Sequence, residues 1–294
     1  MKRLSVILFM STLILASCGD DDDDDDNGPE AGSLSVDISG LEDLGTDFAY
    51  EGWVIVDGAP VSTGVFSVSA DGNLSQTSFD VDAEQLAAAT AFVLSIEPVP
   101  DSDPAPAATK LLRGEFSGST ASVSTEILGD FSDASGVFFL RTPTDETNGN
   151  NGNDENGVWF GIPGMPPAAG LNLPTLPDGW AYEGWVVGDA GPLSTGTFTD
   201  LGAVDSSNGF SGAEANAGPP VPGEDFFLNA PEGETFPLDV RGRTIVISIE
   251  PVPDNSPAPF AAKPLVGIAG QETAPVTHDF GQNLSSLATG TITR

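Results

Sequence analysis

Ten charged and aromatic residues of this 294-residue chain form two equivalent sets of five, and they are its strongest candidates for binding chemistry. Each set has a tyrosine, a glutamate and a tryptophan close together, and a later glutamate that is followed thirteen residues on by a lysine. The sets are Tyr50, Glu51, Trp53, Glu97 and Lys110, and Tyr182, Glu183, Trp185, Glu250 and Lys263. Carboxylates and ammonium groups bind polar ligands, and aromatic rings offer platforms for rings and cations. We therefore treat all ten as candidate binding residues.

Structural roles compete with binding for the same residues. A glutamate and a lysine on paired strands form a cross-strand pair worth about 0.2–1 kcal/mol, so we expect ion pairs between Glu97 and Lys110 and between Glu250 and Lys263. A tryptophan in a β-sandwich is more often a core anchor than a platform. The glutamate next to each tyrosine points either to solvent or into a shared pocket, and the sequence leaves both open.

The residue types argue against catalysis. The chain has one histidine, His278, without a counterpart in the first set's segment, and one cysteine, Cys18. These counts exclude a histidine-based metal site, a repeated histidine–nucleophile pair and a disulfide framework. The sequence has no nucleophile elbow, phosphate loop or dinucleotide fingerprint. We predict a non-enzymatic protein without a cofactor, and Ca²⁺ or a glycan remains the alternative ligand of its acidic loops. The acidic stretch 145–157 lacks the full spacing of a calcium loop.

The elements that must position these residues also occur twice. YEGWVIVDGAPVSTGVF at 50–66 matches YEGWVVGDAGPLSTGTF at 182–198 in eleven of seventeen positions, and residues 93–112 match residues 246–265 in fourteen of twenty. A fainter echo relates residues 132–140 to residues 286–294. We predict two copies of one domain, at 34–142 and 157–294. Residues 143–156 are then an Asn/Gly-rich linker, or alternatively a hairpin loop that pairs strands of both copies.

The local patterns indicate strands. Thirty-five glycines and twenty-four prolines separate short apolar runs, which is typical of β-sandwiches and barrels, and we predict two tandem Ig-like β-sandwiches. Residues 92–97 alternate, which predicts a half-buried strand. Residues 80–91 offer one or two helical turns, and the repeated Ser-Thr-Gly at 62–64 and 194–196 predicts a turn.

The N-terminus predicts export and lipidation. Lys2 and Arg3 precede an apolar segment, residues 4–16, that is too short to span a bilayer and fits a signal peptide, residues 1–17. LASC at 15–18 resembles the lipobox of bacterial lipoproteins, which implies acylation of Cys18. Residues 18–33 include seven consecutive aspartates, Asp20 to Asp26, a self-repelling tether. This tether resembles the surface-export signal of lipoproteins in Bacteroidota-type bacteria. We expect an outer-membrane lipoprotein at the cell surface, with the periplasmic face as the alternative.

The charge limits the partners. The whole chain has a formal charge of −35, and removal of residues 1–17 leaves 7 basic and 44 acidic residues, a formal charge of −37. Such a surface repels nucleic acid and anionic headgroups. The expected partners are the membrane, through Cys18, and a protein of the envelope.

Both copies resemble the C-terminal extracytoplasmic domain of anti-sigma-K factors. The resemblance rests on an aromatic-x-x-W strand, a P-x-x-x-G-x-F segment and a strand ending I-E-P before a proline-rich loop. The matching residues are Tyr50, Trp53, Gly64, Phe66, Glu97 and Pro98, and Tyr182, Trp185, Gly196, Phe198, Glu250 and Pro251. It implies a β-sandwich ectodomain and an alternative role as an envelope stress sensor acting through a membrane partner. The family's zinc motif and sigma-binding domain have no counterpart, so sigma-factor sequestration does not carry over.

Overall fold

The structure is a computed structural model, and it describes residues 30–148, 152–212, 218–254 and 256–294. The predicted signal peptide, Cys18 and the aspartate run lie outside the described residues. Among the described residues, no helix combines the length and the apolar character needed to cross a membrane.

The described part of the chain is built mainly from strands, and its one α-helix is short. The strands of the first half are β1 Ala31–Ser39, β2 Phe48–Val56, β3 Ala59–Phe66, β4 Ser78–Asp82, β5 Ala91–Pro98, β6 Lys110–Ser117, β7 Thr120–Ser124 and β8 Ser135–Leu140. Those of the second half are β9 Gly157–Trp159, β10 Gly161–Ile162, β11 Ala168–Ala169, β12 Leu171–Asn172, β13 Trp180–Val187, β14 Pro192–Phe198, β15 Gly223–Asp225, β16 Thr244–Pro251, β17 Leu265–Ile268, β18 His278–Gln282 and β19 Thr289–Thr293. Four 3₁₀ turns cover Thr125–Ile127, Pro143–Asn148, Asp154–Asn156 and Leu284–Ser286.

The strands form two large antiparallel sheets, which confirms the all-β prediction. The first sheet has the order β3-β2-β5-β6-β7-β19-β1-β4, and the second has the order β14-β13-β16-β17-β18-β8-β9-β15, with β12 attached to β8. A separate pair joins β10 and β11. The two end strands of the first sheet approach each other, since the rings of Phe66 in β3 and Phe79 in β4 lie 5.9 Å apart. The arrangement is therefore as close to a barrel as to a sandwich.

Each sheet contains one strand from the other copy. The C-terminal strand β19 lies between β7 and β1 of the first sheet, and β8 lies between β18 and β9 of the second. We call β8 and β19 the closing strands. They are the two echo segments of the sequence, so the copies exchange equivalent strands. The sheets consequently cross the boundary between residues 142 and 157, while the extent of each sequence repeat stays a prediction. β8 and β9 pair antiparallel, as the alternative reading of residues 143–156 as a hairpin loop expects.

The repeated Ser-Thr-Gly does not form the turn that we expected. It lies within β3, where Trp53 pairs with Ser62 and Gly52 with Gly64, so that Thr63 forms a β-bulge. Gly64 has a φ of 118°, a conformation that side chains disfavour. The connection between β2 and β3 is the two-residue Asp57–Gly58 loop, whose φ angles of 50° and 80° suit a hairpin turn.

The expectation of a half-buried strand at residues 92–97 is wrong, because both of its faces are buried. Phe92 and Leu94 are fully enclosed on one face, and Ser95 and Glu97 are 0% and 2% exposed on the other. The following proline-rich loop covers this second face in part, since the backbone N–H of Ala107 donates to Glu97. The expected helical segment is confirmed as α1, Ala83–Ala88.

Candidate functional site

In the first copy, the side chains of a tryptophan, a serine and a glutamate form a chain of hydrogen bonds on one face of the sheet. Trp53 Nε1 donates to Ser95 Oγ at 2.8 Å, and Ser95 Oγ donates to Glu97 Oε1. The same Oε1 accepts from the backbone N–H of Ala107 at 2.8 Å. The strand register brings these groups together, because Trp53 in β2 lies opposite Val93 in β5, two residues before the serine. The chain satisfies a buried indole and one oxygen of a buried carboxylate.

The second copy repeats the chain with equivalent residues. Trp185 Nε1 donates to Ser248 Oγ at 2.8 Å, Ser248 Oγ donates to Glu250 Oε1, and that oxygen accepts from the backbone N–H of Phe260 at 2.9 Å. Both tryptophans are 2% exposed, as expected of core anchors.

The tyrosines are buried as well. Tyr50 Oη donates to the carbonyl of Glu42 at 3.1 Å, and Tyr182 Oη donates to the carbonyl of Pro174 at 2.6 Å. Each contact joins a tyrosine to the segment eight residues before it. A binding role for the aromatic residues of the two sets stays a prediction.

The expected glutamate–lysine ion pairs do not form among the described residues. Instead, each lysine donates to a backbone carbonyl three residues earlier: Lys110 Nζ to Ala107 O at 2.8 Å, and Lys263 Nζ to Phe260 O at 2.6 Å. The glutamate of the same copy accepts the N–H of that residue. In each copy, the glutamate thus binds the N–H and the lysine binds the carbonyl of one loop residue, Ala107 or Phe260.

In the second copy three carboxylates converge. Oxygen atoms of Glu183, Glu250 and Asp254 lie within 4.8 Å of one another. Glu183 and Glu250 are 4% and 1% exposed, and each has one buried oxygen, Oε2, without a hydrogen-bond partner. The other oxygen of Glu183 accepts from Ser194 Oγ. We call these three residues the carboxylate cluster.

Burial makes the cluster difficult to ionise. It raises the pKa of Glu183 to about 8, against the hydrogen bond from Ser194, and the two neighbouring carboxylates add to the rise. It also raises the pKa of Glu250 to about 7, against the hydrogen bonds from Ser248 and Phe260. Desolvation lowers the pKa of Lys263, which the nearby carboxylates oppose. Buried carboxyl groups with raised pKa values are therefore the main electrostatic feature of the site.

A cavity of about 740 Å³ opens beside the cluster, between loops of the two copies. One wall comes from residues 42–48 and 107–109 of the first copy, and the other from residues 250–254, Ser256 and Phe260. Five carboxylates line it, from Glu42, Asp43, Asp47, Glu250 and Asp254, together with apolar side chains such as Phe48, Ile96 and Phe260. Burial raises the pKa of Glu42, while a backbone hydrogen bond from Ala261 and the charge of Lys263 lower it.

The first copy has the same residue types but no such convergence. Glu51, Glu97 and Asp101 are the equivalents, and Asp101 is exposed. Within the described ranges, the second copy holds the one cluster of three carboxylates. Burial raises the pKa of Glu51 too, with smaller contributions from Glu97 and Asp101. The two copies therefore differ in geometry rather than in composition.

Sequence reasoning singled out Glu183 and Glu250 but missed Asp254, Glu42 and the two serines. A signal existed for some of them. Asp254 and its counterpart Asp101 end the identical VPD of the two copies, and Ser95 and Ser248 precede the I-E-P that carried the resemblance. Glu42 gave no signal, because the second copy has Pro174 at the equivalent place.

The fold and the repeated buried chains define an all-β protein with an acidic cavity where its two copies meet. Its N-terminal part matches the family described as "Anti-sigma-K factor rskA, C-terminal" over residues 28–110, which confirms the resemblance for that segment. The matched segment runs from before β1 to the first residue of β6, and over these residues the chain is similar to the C-terminal region of anti-sigma-K factors. No curated protein and no solved structure matches the chain.

Proposed function

We propose that the protein is a lipid-anchored component of the bacterial cell envelope, with a binding or structural role at the outer membrane or cell surface and without catalytic activity. Acyl chains on Cys18 hold it to the membrane, the aspartate run acts as a tether, and the two-sheet body reaches the partner.

The order of segments along the chain carries this proposal. An apolar export segment ends in a lipobox-like LASC, the aspartate run follows, and the match to a domain of extracytoplasmic type begins at residue 28, ten residues after Cys18. Each acyl CH₂ buried in a bilayer contributes about 0.8 kcal/mol, and stable anchoring needs more than one chain. The thioether diacylglycerol and the N-terminal acyl group implied by the lipobox meet that need.

Replacement of the lipidated cysteine tests the anchor. In Cys18→Ala we expect loss of radiolabelled palmitate from the protein and its release from the membrane fraction. Ser17→Ala is the matched control, because a small residue still precedes the cleavage site, and it should remain labelled and membrane-bound. A Cys18→Ala protein that stays labelled and sediments with membranes would contradict the proposal. Protease added to intact cells reports the surface location.

The family match favours a second candidate, a sensor of envelope stress that signals through a membrane partner. Crosslinking on intact cells, followed by purification of the protein, identifies the neighbour. A membrane protein with a sigma-binding domain among the crosslinked products supports the sensor. Its reproducible absence, with other envelope proteins captured, favours the structural role.

A further inference from the structure

We propose that Glu183, Glu250 and Asp254 form a binding site for a hard divalent cation of the calcium type. The inference concerns the folded body alone and does not depend on the lipid anchor.

The spacing of the oxygens suits such an ion. Calcium binds oxygen ligands at 2.3–2.6 Å, so two ligands on opposite sides of one ion lie about 5 Å apart. The oxygens of the carboxylate cluster lie within 4.8 Å of one another. One ion can therefore contact all three carboxylates. Glu183 lies in β13 and Glu250 in β16, and these two strands pair with Glu183 opposite Ser248. The sheet therefore fixes the positions of two of the three proposed ligands.

The unpartnered oxygens are suited to binding a cation. Oε2 of Glu183 and Oε2 of Glu250 are buried without a hydrogen-bond donor, while Oε1 of each residue is held by a serine. The Asp254 carboxyl group lies close enough to Glu183 to share a proton with it, which adds to the rise that burial causes in the pKa of Glu183 and places two acceptors side by side. A buried acceptor that lacks a partner costs roughly 1–3 kcal/mol, and more for a charged group. Lys263, the lysine of the same copy, directs its ammonium to the carbonyl of Phe260 instead. A cation would satisfy both free oxygens at once.

The cavity gives the ion an entrance and further ligands. Glu250 and Asp254 line it directly, and its other carboxylates, from Glu42, Asp43 and Asp47, attract cations to its walls. Calcium takes 6–8 oxygen ligands, of which waters commonly supply several. The cavity volume of about 740 Å³ leaves room for these waters.

The first copy is an internal control for the proposal. It has the same three residue types at Glu51, Glu97 and Asp101, but Asp101 is exposed and the three do not converge. We therefore expect one ordered site in each chain, in the second copy.

The test compares Asp254→Asn with the matched variant Asp101→Asn, each in the full mature chain. Both remove one carboxylate from the same sequence context, so weak binding by the aspartate run is common to them. Calorimetric titration with CaCl₂ should give one saturable site in the wild type and in Asp101→Asn, with a Ca²⁺-dependent rise in Tm. Asp254→Asn should weaken Ca²⁺ binding by about 10–100-fold or more, since even changes outside the ligand sphere cost that much.

Folding of the variants is checked separately. In EDTA, Asp254→Asn should melt as Asp101→Asn does, because Asp254 lies in a loop and is only half-buried. Glu183→Gln is the second ligand variant, and it should lose the Ca²⁺-dependent rise in Tm while keeping the shape of its side chain. Equal Ca²⁺ affinity in the two aspartate variants would overturn the proposal. So would a wild-type Tm unchanged up to about 10 mM Ca²⁺, which exceeds the millimolar range of weak extracellular calcium modules.

Discussion

The exchanged strand β19 makes the first sheet depend on the C-terminus of the chain, and Ile292→Ala tests that dependence. Ile292 is fully buried, and it lies between Val36 of β1 and Ala121 of β7. Truncation of a buried isoleucine to alanine typically costs about 2–5 kcal/mol. We expect a loss of this size in the free energy of unfolding, measured by urea denaturation.

Deletion of residues 289–294 should cost more than that substitution. β19 pairs along five residues with β1 and along five with β7. The deletion also removes Arg294, which donates to the carbonyls of Leu86 and Ala89 at 2.6 Å and lies over the Phe116 ring at 4.3 Å. Because whole domains are stable by only about 5–15 kcal/mol, we expect β1 and β7 to lose most of their protection from amide hydrogen exchange.

Ile268→Ala is the matched control for the substitution. Ile268 lies at the end of β17 in the second sheet and is 68% exposed, so its truncation should change stability by no more than about 0.5 kcal/mol. The reasoning fails if Ile292→Ala is no more destabilising than Ile268→Ala. It fails as well if β1 and β7 exchange their amide hydrogens equally slowly in the truncated and the full-length chain.

Two further predictions concern buried polar groups. Burial raises the pKa of Asp205 and of Glu224 to about 7, so their contribution to stability is full below the unfolded pKa near 4 and is lost as the pH rises through 7. Urea midpoints should therefore fall between pH 5 and pH 8, and Glu224→Gln should reduce that fall; an identical pH profile would contradict this. Ser248→Ala leaves the indole N–H of Trp185 without its acceptor and removes one of the two hydrogen bonds to Glu250 Oε1, at a cost of about 1–3 kcal/mol. The exposed Ser285→Ala is its control, and equal urea midpoints in the two variants would refute the hydrogen-bonded chain.

The sequence predicts the elements of the fold well because the repeats carry local information. Alternation and frequent turn residues indicate strands, and the aspartate at position 82 caps α1 by accepting from the N–H of Gln85. The prediction from sequence fails at the Ser-Thr-Gly motif, since a glycine with positive φ is equally suited to a turn and to a bulge. Only the strand pairing, with Trp53 opposite Ser62, distinguishes the two.

The exchange of closing strands cannot be predicted from local sequence patterns either, because it depends on which strands pair. The end of β7 lies beside the start of β19, with Ser124 opposite Thr289. A hairpin within one copy would need only a short loop at that place. β8 and β19 hold equivalent places in the two sequence copies, so after the exchange each sheet still contains one closing strand. Nothing in the side-chain period states which copy receives which strand.

The sequence also predicts only part of the candidate site, because it does not show how the two copies pack. Glu183 and Glu250 stand out because they are repeated, yet repetition predicts two sites, whereas the three carboxylates converge in one copy. The difference arises where the copies meet: the charges of Lys263 and Asp254 in the second copy act on the pKa of Glu42, and the residue equivalent to Glu42 is Pro174, which has no carboxylate. Because β8 and β19 cross between the sheets, the loops that form the cavity are held by two chain connections. The cavity needs loops of both copies, and repetition within the sequence does not state how the two copies pack together.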